Sequence, residues 1–240
     1  MIALIDTDLI AYRCAASLKE GDAPETGCVR ADRLMDEILV ACETDEYISI
    51  LSGSANWRKD FYPQYKANRT RPPPESLQLV REFMITHWDT TVTDGWEADD
   101  QIGIEMSPNT ICVSIDKDLK MLAGKHYNFV KQEFQDVDVI EARRNFYKQL
   151  LLGDRSDNIP GYDGMARQKP TRIIQQWYDE IDATESEIEM FQVIAHAYNY
   201  NKDAILLSGV LLHIWRKEDD RWTLTPEMES LLESSPRMVA

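Results

Sequence analysis

The chain has 240 residues, of which 43% are hydrophobic, and it carries 26 basic against 42 acidic side chains, for a formal net charge of −16. This length and apolar content suit one large folded domain or slightly more, and they argue against wholesale disorder. No apolar run approaches the roughly 20 residues of a membrane-spanning helix, and the four cysteines show no zinc-site or disulfide-framework spacing, so we expect no membrane partner and a reduced, cytoplasmic location.

Strand-like and helix-like segments alternate along the first 140 residues. Short apolar runs predict strands over 1–5, 47–51, 90–93, 110–115 and 127–130, and helical spacing of apolar residues predicts helices over 9–18, 31–42, 75–88, 97–106 and 118–123. This alternation predicts an α/β fold with a mainly parallel central sheet flanked by helices. In such a sheet, active sites lie beyond the carboxyl ends of the strands.

The pattern changes after residue 140, where only helices are predicted, over 142–152, 171–178, 188–198 and 203–217. We therefore predict two parts. Residues 1–140 would form the α/β core, and residues 141–240 would form a smaller helical subdomain packed on that core.

Acidic side chains gather in four short clusters along the chain. The clusters are Asp6 with Asp8, Glu97 with Asp99 and Asp100, Asp116 with Asp118, and Asp154 with Asp157. Asp6 and Asp116 directly follow predicted strands. Glu97 and Asp100 are three residues apart on one predicted helix face, a spacing that the last cluster repeats if its segment is helical. A single acid at such a position is often only a helix N-cap, but four clusters together indicate a shared site.

Crowded carboxylates need a cation. Carboxylates that share one pocket raise each other's pKa unless something strongly positive neutralises them. Hard divalent cations such as Mg²⁺ prefer oxygen ligands, and two of them about 4 Å apart can activate a water and stabilise the leaving oxygen of a phosphodiester. The clusters therefore predict a metal-dependent enzyme that acts on a phosphodiester.

A basic, aromatic segment interrupts this acidic chain. Residues 57–72 contain five basic side chains against one acid, whereas the chain from Asp179 onward contains 13 acidic and 5 basic side chains. The overall charge argues against nucleic acid as a partner. However, the negative charge is concentrated in the tail and in the acidic clusters. The net charge is therefore compatible with binding of a phosphate backbone by the basic segment.

Five motifs carry a family resemblance: LIDTDL, NWRKDFYPQYKANR, GWEADDQIG, SIDKDL and LLLGDRSDNIPG, in this order within residues 2–165. Together they resemble those of the 5′-nucleases, which comprise phage and bacterial 5′→3′ exonucleases, the 5′-nuclease domain of bacterial DNA polymerase I, and flap endonucleases. The second motif is most similar to that of the small podophage exonucleases. The resemblance implies a PIN-like fold, two Mg²⁺ ions that Mn²⁺ can replace, and a helical arch near residues 57–74.

The resemblance also implies roles for individual residues. One metal would bind Asp6, Glu97, Asp99 and Asp100, and the other would bind Asp116, Asp118, Asp154 and Asp157, with Asp8 outside the direct ligands. Lys66 and Arg69 would contact the scissile phosphate, and Asp6, Asp116 and Asp154 would share the catalytic role. Tyr65 or Tyr62 would stack on a terminal base, with simple packing as the alternative. The remaining predicted DNA contacts are Arg58, Lys59, Arg71, Gly161, Gly164, Arg167 and Lys169.

Two segments depart from the family pattern. Relatives usually carry an Asp after the second strand, where this chain has Ser52-Gly53-Ser54, so we expect weaker binding of the first metal. The family's glycine-rich helix–turn–helix hairpin falls at residues 161–170, where Ala166 and Pro170 break the pattern. We therefore predict a degenerate DNA-binding hairpin in the helical subdomain and do not expect K⁺ there.

The expected activity is that of a divalent-metal-dependent 5′→3′ exonuclease in phage DNA replication or recombination. Its expected substrates are DNA 5′ ends in duplex, nicked or flap form, extending to flap cleavage and to RNA primers in RNA–DNA hybrids. We expect a monomer that works beside phage replication proteins. Two alternatives stay open: a PIN-type endoribonuclease, which shares the sheet and several acids, and a non-catalytic DNA-end-binding protein that has lost one metal, which Gly53 suggests.

Overall fold

The computed structural model describes residues 1–234, so the last six residues of the predicted helical subdomain lie outside it. The described chain divides into two compact units. The first contains residues 1–60, 70–138 and 214–218, and the second contains residues 61–69, 139–213 and 219–234. Within the described range, no helix combines the length and the apolar content that crossing a membrane requires.

The first unit contains a six-stranded sheet in the order β3-β2-β1-β4-β5-β6. Its strands are β1 Ile2–Asp6, β2 Tyr47–Leu51, β3 Thr91–Val92, β4 Thr110–Val113, β5 Gly124–Asn128 and β6 Glu133–Val137. The neighbours from β3 to β5 pair in parallel and β6 pairs antiparallel with β5, which confirms the predicted mainly parallel sheet. Because β1 lies between β2 and β4, its carboxyl end lies beside theirs.

Helices cover both faces of this sheet, as predicted. The helices of the first 140 residues are α1 Thr7–Ala16, α2 Thr26–Ala41, α3 Trp57–Phe61, α4 Leu77–His87 and α5 Ala98–Glu105, with a short 3-10 helix over Asp118–Met121. Side chains alternate along β1 because successive strand residues point to opposite faces. Ala3 and Ile5 pack in one cluster with α1, α2 and α4, whereas Leu4 packs with Ala98 and Ile102 of α5 in another.

The second unit is mainly helical, as predicted for this part of the chain. Its helices are α6 Val139–Leu152, α7 Arg172–Asp182, α8 Glu187–Ala197, α9 Lys202–Leu212 and α10 Pro226–Ser234. Side chains of Thr171, Ser186 and Asn201 cap the amino ends of α7, α8 and α9, where they satisfy otherwise unpaired N–H groups. Tyr147 of α6 and Phe191 of α8 are fully buried and anchor the core of this unit.

Several elements differ from the predictions. β6 and α10 were not predicted, and the predicted helical arch contains the five-residue α3 followed by turns. The last acidic pair lies in a turn after the end of α6 at Leu152, not in a helix. α9 ends at Leu212 instead of continuing to 217, because His213 adopts extended backbone and Ile214 packs in the Leu4 cluster of the first unit.

Candidate active site

Asp6 ends β1 and also caps α1. One carboxylate oxygen accepts the N–H of Leu9 at 3.5 Å, and the other accepts the hydroxyl of Ser114 at 2.8 Å. Ser114 lies beside Asp6 because β1 and β4 are parallel neighbours, with Ile5 opposite Val113. The predicted strand-end acid is thus both a helix cap and a buried group at the carboxyl edge of the sheet, only 3% exposed.

Three further carboxylates crowd the same edge. Burial is the largest cause that raises the pKa of Asp6 to about 7, and the charges of Asp8 and Asp116 add to this rise. Burial also raises the pKa of the Cys112 thiol on β4, and the charges of Asp6, Asp99 and Asp116 act in the same direction. Asp8 and Asp116, from two of the predicted acidic clusters, therefore lie close enough to Asp6 to act on its charge, and Asp99, from a third, acts on the neighbouring Cys112.

Asp116 and Asp118 share one tight turn after β4. The Asp118 N–H donates to an Asp116 carboxylate oxygen at 2.9 Å, and the Asp116 N–H donates to the Ser114 hydroxyl at 3.0 Å. The 3-10 helix begins at Asp118, so the two acids are joined by a hydrogen-bonded turn.

Ser52 connects two of the acidic clusters through its own hydrogen bonds. Its N–H donates to Asp8 at 2.8 Å, and its hydroxyl oxygen accepts the N–H of Ala98 at 2.9 Å. The guanidinium of Arg81 donates both to Asp8 and to the carbonyl oxygen of Ser52. The ion pair with Arg81 thereby offsets the charge of Asp8 within the protein, in keeping with a place outside the direct metal ligands.

The structure gives a reason for the missing acid at Gly53. A Cβ atom at this position would lie 2.1 Å from the carbonyl oxygen of Thr93, and the Gly53 N–H already donates to the Thr93 hydroxyl at 3.2 Å. The two backbone segments pass so close together that only glycine fits. An acidic side chain at position 53 would require the backbone at Thr93 to move.

Arg58 and Asp100 form a buried ion pair, which the sequence did not predict. The two terminal guanidinium nitrogens of Arg58 donate to the two carboxylate oxygens of Asp100 at 2.5 and 2.8 Å. Arg58 is 3% exposed and Asp100 is fully buried. The predicted DNA contact of Arg58 and the predicted metal contact of Asp100 do not fit this placement, because each group is turned toward the other.

Asp157, in the second unit, lies at the centre of a cluster of donors. The Tyr65 hydroxyl donates to it at 2.9 Å, Arg69 donates at 2.5 Å, and the ammonium of Lys66 lies 3.5 Å away. The structure therefore brings together Lys66, Arg69 and Asp157, all predicted site residues. Tyr65 is only 4% exposed, so its ring packs inside the protein and is not placed to stack on a base.

Backbone contacts hold the Lys66 segment in place. The Lys66 N–H donates to the carbonyl oxygen of Asp157 at 2.8 Å, and the side-chain amides of Asn158 and Asn68 donate to the carbonyl oxygens of Gln64 and Arg155 at 2.8 and 2.6 Å. Lys66 and Asn158 both adopt positive φ, at 57° and 58°. This conformation is uncommon for lysine and persists where the surroundings enforce it.

Asp154 organises the turn that precedes Asp157. It is 7% exposed, and one of its oxygens accepts the N–H groups of Ser156 and Asp157 at 2.6 and 3.1 Å. The side-chain amide of Gln149 lies within hydrogen-bond distance of its other oxygen, at 3.3 Å. Such a carboxylate-centred turn explains why α6 stops before this acidic pair.

The other predicted DNA contacts differ in their surroundings. Lys59, Arg71 and Lys169 are exposed, whereas Gly161 is buried. Gly164 has φ +79° and is exposed at a turn. Arg167 donates to Asp163 from both terminal nitrogens, and this hydrogen bonding lowers the pKa of the Asp163 carboxyl. Arg167 would therefore reach a phosphate only by sharing its guanidinium with Asp163.

The donor chemistry of the first unit suits a hard cation. Its acidic edge offers carboxylate oxygens, and within residues 1–234 the four cysteines are free. No three His, Cys, Asp or Glu side chains in this described range are arranged to hold a metal ion. However, the repulsion that raises the pKa of Asp6 is of the kind that a bound divalent cation relieves.

The pKa of Asp6 predicts an unusual pH dependence of stability when divalent metal is absent. Because the folded pKa is about 7 against an ordinary 3.8, the folded state holds a proton that the unfolded state releases between these values. The contribution of Asp6 to the free energy of unfolding should therefore fall as pH rises from about 4 to about 7, by an amount on the order of 4 kcal/mol. Urea unfolding in EDTA should show this fall, and Asp6→Asn should flatten it and stabilise the protein at pH 8. Identical pH profiles for the variant and the wild type would contradict this role of Asp6.

The first part of the chain matches a known family. Residues 1–149 match the family described as 5′-3′ exonuclease, N-terminal resolvase-like domain. A 5′-3′ exonuclease of Mycoplasma pneumoniae is 30% identical over 213 residues, which cover 75% of this chain and 72% of that protein. DNA polymerase I of Bacillus caldotenax is 27% identical over 248 residues, and this chain spans only 28% of its length.

A solved structure shares the fold. The flap endonuclease of bacteriophage T5, in a pseudo-enzyme-product complex with DNA and metal ions, matches 97% of this chain and 98% of its own with a TM-score of 0.57. The sequence identity is 17%, so this likeness concerns the arrangement of helices and strands. It agrees with the predicted PIN-like fold.

Proposed function

The chain belongs to the 5′-3′ exonuclease family, and from that premise we propose that it is a divalent-metal-dependent nuclease that hydrolyses phosphodiester bonds at DNA 5′ ends. The observation that carries the proposal is the crowding of Asp6, Asp8 and Asp116 at the carboxyl ends of β1 and β4, with Asp99 of α5 close enough to act on Cys112 of β4. An edge of this charge attracts cations, and without them it would repel a phosphodiester.

The proposed metals are two Mg²⁺ ions, which Mn²⁺ can replace. The proposed ligands are, in the first unit, Asp6, Glu97, Asp99, Asp116 and Asp118, and in the second unit Asp154 and Asp157. When bound, such ions activate a water and neutralise the charge that develops on the leaving oxygen. Oxygen donors are the right chemistry for both ions.

Lys66 and Arg69 are proposed to stabilise the negative charge on the scissile phosphate. Both cations are held at Asp157, and Lys66 is also fixed through its backbone. Charges that are already oriented need no rearrangement when the transition state forms, which is where electrostatic stabilisation is largest. Asp157 thus has a second proposed use, as the group that orients both basic side chains.

The proposed DNA contacts outside the reacting centre are the exposed Lys59, Arg71 and Lys169, with the turn at Gly161 and Gly164. The DNA in the T5 flap endonuclease complex supports DNA as the substrate. We extend the proposal to nicked and flap substrates, to RNA–DNA hybrids and to a role in phage replication. The departures at Ala166 and Pro170 leave K⁺ outside the proposal.

A cleavage panel tests the proposed function. The purified chain is incubated with 5′-labelled blunt, nicked and 5′-flap duplexes, an RNA–DNA hybrid and single-stranded RNA, each with Mg²⁺, Mn²⁺ or EDTA. We expect short products from the DNA 5′ ends with either metal and none with EDTA. Cleavage of the single-stranded RNA alone would instead identify an endoribonuclease. Tight binding of DNA ends without turnover would identify a non-catalytic end-binding protein.

A further inference from the structure

We infer that Arg58 and Asp100 form a positioning pair that fixes the first turn of α5, and that this pair sets the affinity of Glu97 and Asp99 for divalent metal. Neither Arg58 nor Asp100 contacts DNA or metal in this assignment. The inference rests on the proposed function, because Glu97 and Asp99 are ligands only in a metal-dependent nuclease.

The geometry of the pair leaves little capacity for any other partner. The two parallel hydrogen bonds, at 2.5 and 2.8 Å, engage both oxygens of Asp100. One of these oxygens also accepts the backbone N–H of Trp215 at 3.1 Å. Bidentate guanidinium–carboxylate pairs are among the strongest and most directional hydrogen-bonded contacts in proteins. A guanidinium that is 3% exposed cannot reach a phosphate.

Asp100 acts on Glu97 through the amino end of α5. Glu97 is the N-cap of this helix, and Asp100 is its third residue. The Glu97 N–H donates to Asp100 at 3.3 Å, the Asp100 N–H donates back to the Glu97 side chain, and Arg58 lies 3.5 Å from a Glu97 carboxylate oxygen. The pair thereby fixes both the backbone and the carboxylate of Glu97.

Asp99 follows Glu97 and precedes Asp100 in the same helical turn. The contacts that fix the backbone of this turn therefore also fix the position of Asp99. The first turn of α5 is joined to Asp8 through Ser52, which accepts the Ala98 N–H and donates its own N–H to Asp8, and the charge of Asp99 acts on the Cys112 thiol together with those of Asp6 and Asp116. Asp100 points instead to Arg58 and carries a cancelled charge. The cluster predicted as three equivalent ligands therefore divides into two groups for the metal and one that orients them.

Aromatic rings enclose the pair. The guanidinium of Arg58 lies 4.6 Å from the centre of the Trp57 ring. Trp57 stacks on Trp215, with ring centres 5.6 Å apart and planes 13° apart. An ion pair shielded from water in this way resists screening by salt and keeps one geometry. The same indole rings provide a fluorescence signal close to α5.

Three variants test the inference: Arg58→Lys, Arg58→Met, and the double variant Arg58→Met with Asp100→Leu, which leaves no unpaired buried charge. Arg33→Met, on an exposed face of α2, is the matched control. Circular dichroism first establishes that each protein is folded. Mg²⁺ and Mn²⁺ affinity is then measured by tryptophan fluorescence and calorimetry, and DNA affinity is measured in EDTA.

We expect metal affinity to fall about 10- to 100-fold in Arg58→Met and in the double variant, as for other groups that orient metal ligands. Arg58→Lys should fall about tenfold, because an ammonium cannot make the two parallel bonds. DNA affinity in EDTA should match the wild type and the control. Where Arg58→Met does not fold, the lysine and double variants give the same measurement.

Wild-type metal affinity in the folded variants would overturn the inference, and so would a selective loss of DNA affinity, which would make Arg58 a DNA contact. These outcomes leave the proposed function standing. That function fails on a different observation, namely a wild-type protein that neither binds divalent metal nor cleaves DNA.

Discussion

Replacing Asp116 by asparagine should abolish cleavage of a 5′-labelled DNA duplex while leaving the fold intact. The substitution removes one charge from the acidic edge but keeps an oxygen that can accept the Asp118 N–H, the contact that holds the local turn. We expect the cleavage rate to fall at least about 10³-fold, which corresponds to a loss of roughly 4 kcal/mol of transition-state stabilisation. Single-turnover cleavage in saturating Mg²⁺ measures this loss.

The matched control is Asp36→Asn, on an exposed face of α2. It makes the same chemical change away from the acidic edge and should cleave like the wild type. Asp154→Asn, in the second unit, should lose activity to a similar extent, because its remaining oxygen still serves the turn at Ser156. A variant at position 116 or 154 that folds and cleaves normally would remove that residue from the metal ligands.

Replacing Lys66 by alanine should depress turnover far more than DNA affinity. The Lys66 ammonium is held 3.5 Å from Asp157 and is 18% exposed, so it offers one oriented charge rather than a flexible surface contact. Loss of a group that acts mainly on the transition state typically costs about 10²- to 10³-fold in kcat. DNA affinity, measured in EDTA by fluorescence anisotropy, should change by less than about threefold, since one phosphate contact among many is removed.

Lys131→Ala is the control for this variant. Lys131 is exposed, and its backbone N–H donates to the Asn128 side chain, so truncation of the Lys131 side chain preserves this contact. Both kcat and DNA affinity of this control should equal those of the wild type. If Lys66→Ala lost affinity and turnover in equal measure, Lys66 would be a binding residue without a special part in the reaction.

The strands and helices of the α/β core were predictable because the apolar residues in their sequence patterns are the residues that the tertiary structure buries. The apolar run before Asp6 and the run before Asp116 each predict a strand, and both strands are buried in the centre of the sheet. β6 escaped prediction for the opposite reason. It is an edge strand with mostly exposed side chains, so it lacks the apolar alternation from which strands are recognised.

The candidate site was predictable where acids follow strands, and less so where a distant partner decides the role of a side chain. Arg58 stands in a basic segment and is a predicted DNA contact, but its partner Asp100 is 42 residues away and no local pattern reveals such a pairing. The same holds for Asp157. Asp157 is predicted as a metal ligand together with Asp154. However, the donors that surround it, from Tyr65, Lys66 and Arg69, come from a distant part of the chain.

The return of Ile214–Glu218 to the first unit bears on how the chain matures as the ribosome makes it. Every strand of the sheet has been synthesised by residue 137, yet Trp215, whose N–H binds Asp100, follows some 80 residues later. Gly103 packs so closely on the Trp215 carbonyl that a Cβ would lie 2.1 Å from it. Domains often fold during synthesis, starting from the amino end, but here a nascent chain carries an incomplete sheet unit until α6 to α9 of the second unit have been translated. A message truncated before codon 214 would therefore yield a product in which the buried Asp100 carboxylate lacks the Trp215 N–H donor. Such a product would be destabilised and would be degraded by cellular proteases.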